Sequence, residues 1–174
     1  QRQMCIRDRI LDWRKAALDL PAILITGLAD RHRGVGFDQL AVIESGTGDA
    51  HLRFFNADGS VSAACGNATR CIARYLMDEL EKSSLHLTTD RGALRAEKSS
   101  DGFVSINMGQ PLLAWQDIPL SEAMDTLVLP IKGDPSATGM GNPHCTFFVE
   151  DIAAIDLEAD AAPIEHHPLS LIHI

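Results

Sequence analysis

The sequence predicts an α+β fold with a mostly antiparallel sheet. Two amphipathic helical stretches are separated by runs of short strand-like segments, and three of those segments are joined by turns short enough to make hairpins. The chain has 174 residues, 45% apolar and 22% charged, which is the composition of a folded protein rather than a disordered tail. Such a length accommodates one compact domain, or one domain and part of another.

Pro21 opens the first helix, expected to run to about Arg31 with Ile23, Leu24, Leu28 and Ala29 as its buried stripe. Gly34-Val35-Gly36 ends it. Phe37 to Ile43 and Leu52 to Asn56 read as strands, and Ala57-Asp58-Gly59-Ser60 closes the second. A longer helix is expected from Asn67 to Glu81. Its apolar face is Ala68, Cys71, Ile72, Tyr75, Leu76 and Leu80, with Arg70, Arg74, Asp78 and Glu81 opposite as a solvated or ion-paired face. Further strands are expected at Leu85 to Thr89, Ala93 to Glu97, Val104 to Met108, Thr126 to Ile131 and Cys145 to Glu150, with hairpin turns at Asp90-Arg91-Gly92 and Ser99 to Gly102. This order does not read as a βαβ nucleotide fold.

Fifteen Lys and Arg against 24 Asp and Glu give a net charge of −9. That balance argues against nucleic acid or an anionic membrane as partner, since both need clustered cations. The most apolar stretch, Leu20 to Ala29, is broken by Pro21 and Gly27 and is far shorter than the roughly 20 residues that cross a bilayer. No apolar run follows the first arginines, so a cytoplasmic location is expected. Cys5, Cys65, Cys71 and Cys145 contain no CxxC pair and suit neither a disulfide scaffold nor a zinc site, leaving free thiols. Gln1–Arg9 and Ser170–Ile174 have no usable period or cap and are expected to be tails foreign to the fold.

Cys65-Gly66-Asn67-Ala68-Thr69-Arg70-Cys71 is the most informative segment. It puts a cysteine directly before a helix, where unpaired amides and the helix dipole favour negative charge and lower a thiol's pKa. The same amides can hold a carboxylate, Gly66 admits close approach, and Asn67 can cap the helix or donate to a ligand. The plainer alternative is a small buried cysteine at a helix cap. Cys71, within the apolar stripe, is expected in the core. Gly141-Asn142-Pro143-His144-Cys145 presents an Asn and a His where a strand begins, which suits a ligand but is also ordinary turn chemistry.

Five blocks together resemble the diaminopimelate epimerase family in order and spacing. They are Ala29 to Gln39, Phe55 to Ser60, Cys65 to Cys71, Asn107-Met108-Gly109 and Gly141 to Cys145, within a match from about Ile10 to about His167. The resemblance implies two similar lobes, each a curled, mostly antiparallel sheet around a central helix, with the substrate between them. It implies an isomerase of lysine and peptidoglycan precursor biosynthesis, interconverting LL-2,6-diaminopimelate and the meso form. Neither pyridoxal phosphate nor any other cofactor or metal is implied. One cysteine on each side of the α-carbon would remove or return the proton. Cys65 matches the first of these, and His144 a histidine that supports the thiol. Gln39, Asn56, Gly66, Asn67 and Asn142 match substrate-binding positions. The family's opening Gly-x-Gly-Asn-Asp-Phe segment is absent, as are the later segments that carry the second cysteine and its Glu and Arg neighbours. The expected divisions are therefore 1–9, an unrelated tail; 10–111, a first lobe lacking its first strand; 112–169, the opening of a second lobe; and 170–174, another tail. The fragment is expected to be inactive alone, and a homodimer stays open. Two alternatives from other classes are a thiol hydrolase or acyltransferase pairing Cys65 with His144, and an inert fragment whose thiols are structural.

Overall fold

The computed structural model describes residues 7–16, 19–165 and 167–170. The chain divides into two compact units, one reaching Gly109 and one starting at Gln110. Cys5, most of the expected first tail and Leu171–Ile174 lie outside the described residues.

The first unit is a seven-stranded mixed sheet. Its strands are β1 (Asp8–Asp12), β2 (Gln39–Glu44), β3 (Ala50–Asn56), β4 (Val61–Ser62), β5 (Ser84–Thr89), β6 (Gly92–Lys98) and β7 (Val104–Asn107). The order is β1-β2-β3-β5-β6-β7, with β4 on β3. β1–β2 and β3–β5 are parallel and the other four pairings antiparallel. Each parallel pair is joined across a helix, α1 (Ala22–Ala29) or α2 (Gly66–Leu80), so βαβ connections occur inside a mostly antiparallel sheet. β1 corrects one expectation: Asp8 and Arg9 lie in a strand rather than a tail. Asp8 pairs with Gln39, and Arg7 N–H donates to Asp38 Oδ2 at 3.1 Å, so neighbouring backbone recruits a segment without hydrophobic period.

Strand alternation sends side chains to two cores. Ala41, Ile43, Leu52, Phe54, Leu85, Leu87 and Ala96 pack under α2, whereas Leu40, Val42, Phe37 and Phe55 pack under α1. α2 touches β1 and β7, the two ends of the sheet order, so the sheet curls around it.

Both helices are rotated from the face expected: Ala29 of the α1 stripe and Ala68, Ile72 and Leu76 of the α2 face are buried, and the other expected positions are not. On α1, Ile25 and Ala29 are buried while Ile23 is 81% exposed. On α2 the buried set is Ala68, Thr69, Ile72, Ala73, Leu76 and Met77. Cys71 is exposed, a correction, because small Ala73 and flexible Met77 fill the space over the sheet and turn the helix toward them. On the outer face Arg74 Nε pairs with Asp78 at 2.9 Å, as expected there. α1 stops at Ala29, and a Cβ on Gly34 would lie 2.3 Å from the Gly27 carbonyl oxygen, so only glycine lets the chain fold back over it.

The second unit has one two-stranded ribbon, β8 (Ser136–Gly139) and β9 (Pro143–Thr146), antiparallel. A short 3-10 turn (Ile152–Ala154) and α3 (Leu157–Glu165) follow. Ile118, Leu120, Leu129 and Ala137 form its small core, with Cys145 packed against it. The strand expected over Thr126–Ile131 does not form: Leu127 and Val128 are exposed, and Thr126 and Leu129 are the buried residues of the segment. β8 takes its place, because alternate Ala137 and Gly139 bury while Ser136 and Thr138 stay half-buried. The strand expected over Cys145–Glu150 is shifted to Pro143–Thr146. Ser170 bridges to Leu120, so the fold extends to the first residue of the expected second tail.

Candidate active site

Cys65 is the N-cap of α2, with extended backbone at φ −143° and ψ 99°. Its Sγ accepts the Ala68 N–H at 3.4 Å, and its carbonyl accepts Thr69 N–H at 2.9 Å and Thr69 Oγ at 2.8 Å. Asn67 therefore does not cap the helix. It stands exposed in the first turn, leaving its amide uncommitted to the cap. A Cβ on Gly66 would meet nothing within 4 Å, so open space lies beside the amides that begin the helix.

Cys65 is 8% exposed. Burial pushes its pKa up, the Ala68 and Asn67 amides pull it down, and the Asp8 carboxylate adds to the rise. The net direction is upward, which corrects the expectation of a lowered value: desolvation outweighs the helix terminus. Cys145 is also raised by burial.

Beside α2's start, β1, β2 and β3 place three polar residues in one cross-strand row, Asp8 opposite Gln39 and Gln39 opposite Asn56. They share the parity of Ala41, Ile43 and Phe54, and so the α2 side of the sheet. Gln39 Nε2 donates to Asn56 Oδ1 at 3.0 Å. Asp8 Oδ1 and Gln39 Oε1 are buried without a hydrogen-bond partner among the described residues. Burial, then the charge of Asp38, raises Asp8. Asp8 was missed by the sequence reading because it fell inside an assumed tail.

The other two candidates are in the second unit. Asn142 lies in the β8–β9 turn and His144 on β9, both exposed, with His144 Nε2 3.0 Å from Asn142 Oδ1. Thus Gln39, Asn56, Cys65, Gly66 and Asn67 belong to the first unit, and Asn142 and His144 form a pair in the second. A cavity of about 540 Å³ in the first unit, lined by Asp12, Trp13, Arg14, Tyr75 and Glu79, includes none of these residues. No helix among the described residues is long and apolar enough to cross a membrane.

The family model for diaminopimelate epimerase matches residues 11–114. The chain belongs to the diaminopimelate epimerase family. It is 46% identical over 163 residues to the diaminopimelate epimerase of Acidiphilium cryptum, covering 90% of this chain and 58% of that protein. With the diaminopimelate epimerase of Rhodospirillum centenum it shares 41% identity over 167 residues, 92% of this chain and 57% of that one. The chain thus spans somewhat over half the length of these curated relatives. A solved structure of a predicted epimerase from Pseudomonas aeruginosa aligns with TM-score 0.52 and 16% identity, over 86% of this chain and 58% of that one. This last likeness concerns the α+β fold of the epimerase family and nothing finer.

Proposed function

We propose that this chain is part of a cofactor-independent isomerase that interconverts LL-2,6-diaminopimelate and meso-diaminopimelate in the cytoplasm. The observation that carries the reading is a buried cysteine capping a helix beside a row of amides. In this reading the backbone amides of Gly66 and Asn67 hold the substrate α-carboxylate, as helix termini hold anions. Gln39 and Asn56 grip the substrate's polar ends, and by the family resemblance Asn142 and His144 of the second unit are a substrate-binding and a catalytic residue. The first unit is the first lobe and the second unit begins the other.

An amino-acid α-proton is weakly acidic, so the carbanion needs oriented donors in a dry site. Burial raises the pKa of Cys65, which makes its thiolate scarcer at neutral pH but a stronger base when formed. Inversion also needs a proton donor on the opposite face, and no second cysteine of the expected motif occurs within these 174 residues. The chain alone is therefore expected to leave LL-diaminopimelate unchanged.

The test is a chimera completed with the remaining part of the Acidiphilium cryptum relative. Turnover of LL-diaminopimelate to the meso form, lost in Cys65→Ala, supports the reading. Release of an acyl product without α-carbon exchange would replace it with the hydrolase.

A further inference from the structure

Four polar side chains of the first unit form a single directed run of hydrogen bonds. Gln39 Nε2 donates to Asn56 Oδ1 at 3.0 Å, Asn56 Nδ2 donates to Ser60 Oγ at 3.0 Å, and Ser60 Oγ donates to Asp58 Oδ1 at 2.6 Å. The same Asp58 oxygen also accepts the Ser60 N–H at 2.9 Å.

An ionised carboxylate only accepts, so its place at the end dictates the direction of every earlier bond. Ser60 commits its one hydroxyl proton to Asp58 and can only accept from Asn56. The Asn56 NH2 must therefore face Ser60, which turns its carbonyl oxygen to Gln39. Gln39 must in turn present its NH2 to Asn56. What is left is Gln39 Oε1, buried and with no hydrogen-bond partner among the described residues. A buried acceptor left unmet is costly, which marks it as one awaiting a donor.

The turn that carries Asp58 and Ser60 is pinned. Asn56 N–H donates to the Ser60 carbonyl at 2.9 Å, and Gly59 N–H to the Asn56 carbonyl at 3.0 Å. Gly59 has φ +85°, and a Cβ there would lie 2.8 Å from Ala22 at the start of α1.

We propose that Asp58 and Ser60 are positioning residues that hold the Gln39 amide with its oxygen turned to accept a hydrogen bond from the ammonium group of an amino-acid substrate. The ligand half rests on the reading of the site as an amino-acid epimerase, and the relay rests on hydrogen-bond direction alone. A reversed run would present the Gln39 NH2 instead, which suits a carboxylate and disfavours an ammonium. A carboxylate in an exposed turn thus sets ligand polarity three hydrogen bonds away.

Side-chain amide NMR of the 174-residue chain tests the relay, with LL-2,6-diaminopimelate as the added probe. Ser60→Ala cuts the run, Ser60→Thr keeps the hydroxyl, and in Asp58→Asn the new amide can donate and allow reversal. The Gln39 and Asn56 NH2 protons should exchange slowly in the parent and in Ser60→Thr, and about tenfold faster in Ser60→Ala and Asp58→Asn. The β2 and β3 backbone amides should be unmoved. The probe should shift the Gln39 resonances in the parent and in Ser60→Thr, and bind about tenfold more weakly to the other two variants. Equal side-chain exchange in all four proteins overturns the relay. An intact relay with no response of Gln39 to the probe in the parent overturns the ligand half together with the proposed substrate, and leaves the positioning role standing.

Discussion

The two units handle their apolar residues differently. In the first, strands with alternating faces carry a helix on each side, so Phe54, Ile43, Leu52, Ile72, Leu76 and Leu87 are essentially sealed from water. In the second, one ribbon and a short helix enclose Ile118 and Leu120 but leave Phe148 and Ile152 83% exposed and Leu157 74% exposed. A lone two-stranded ribbon is too small to cover such side chains. Stability therefore resides in the first unit, where the cysteine site is built, while the second leaves these apolar side chains in water.

Substitutions that act on one unit and spare the other should expose this contrast most strongly. Phe54→Ala removes a ring from the α2 core and should cost about 3–5 kcal/mol, whereas Phe148→Ala should change unfolding by no more than about 0.5 kcal/mol. Urea melts of both variants decide it, and equal losses would erase the contrast. Next in size is Gly59→Ala, which meets both a positive φ and the Ala22 backbone. It should cost about 1–3 kcal/mol in the same melts.

A smaller effect concerns pH. Arg14 hydrogen-bonds Asp12 and holds its carboxyl at about 2, below the usual carboxylate range. A carboxyl lowered on folding stabilises above its unfolded value near 3.9, and that contribution is lost as pH falls toward about 2. The pair is partly solvated, with side-chain exposures of 22% and 32%, so Asp12→Asn should cost at most about 1 kcal/mol at pH 7 and nothing below pH 2. A loss that persists at pH 2 would place the cause in packing.

The least disruptive probe is chemical. With limiting iodoacetamide at neutral pH, exposed Cys71 should label before Cys65 and Cys145, whose burial both shields them and raises their pKa values. Mass-spectrometric mapping that finds Cys65 labelled first would restore the low-pKa expectation.

What was legible in the sequence follows from these same physical terms. α2 and the β5–β6–β7 hairpins stand close to the expected positions, because local period and turn residues specify them. On α2, Ala68, Ile72 and Leu76 are buried as expected, but Cys71, Tyr75 and Leu80 are not, because Thr69, Ala73 and Met77 bury as readily as the larger residues that define the period. β1 was invisible because a segment such as Asp8-Arg9-Ile10-Leu11-Asp12 joins the sheet through backbone pairing with β2. Thr126–Ile131 carries strand-forming residues, but its backbone meets that of β8 and the preceding residue only through isolated hydrogen bonds, Ala137 N–H to the Thr126 carbonyl at 2.7 Å and Leu129 N–H to the Pro135 carbonyl at 2.8 Å, and so builds no ladder. At the site, residue type and position before a helix singled out Cys65, whereas Gln39 and Asn56 entered only through the family resemblance. The direction of the thiol's pKa shift and the roles of Asp58 and Ser60 needed burial and hydrogen-bond direction, which no spacing contains.

The most direct measurement is solvent deuterium incorporation at the α-carbon of LL-diaminopimelate by the completed chimera, compared with its Cys65→Ala variant. The account predicts deuterium in the product of the parent and none of that two-sided exchange in the variant. Full incorporation in Cys65→Ala would contradict the assignment of Cys65 as a proton-transfer group.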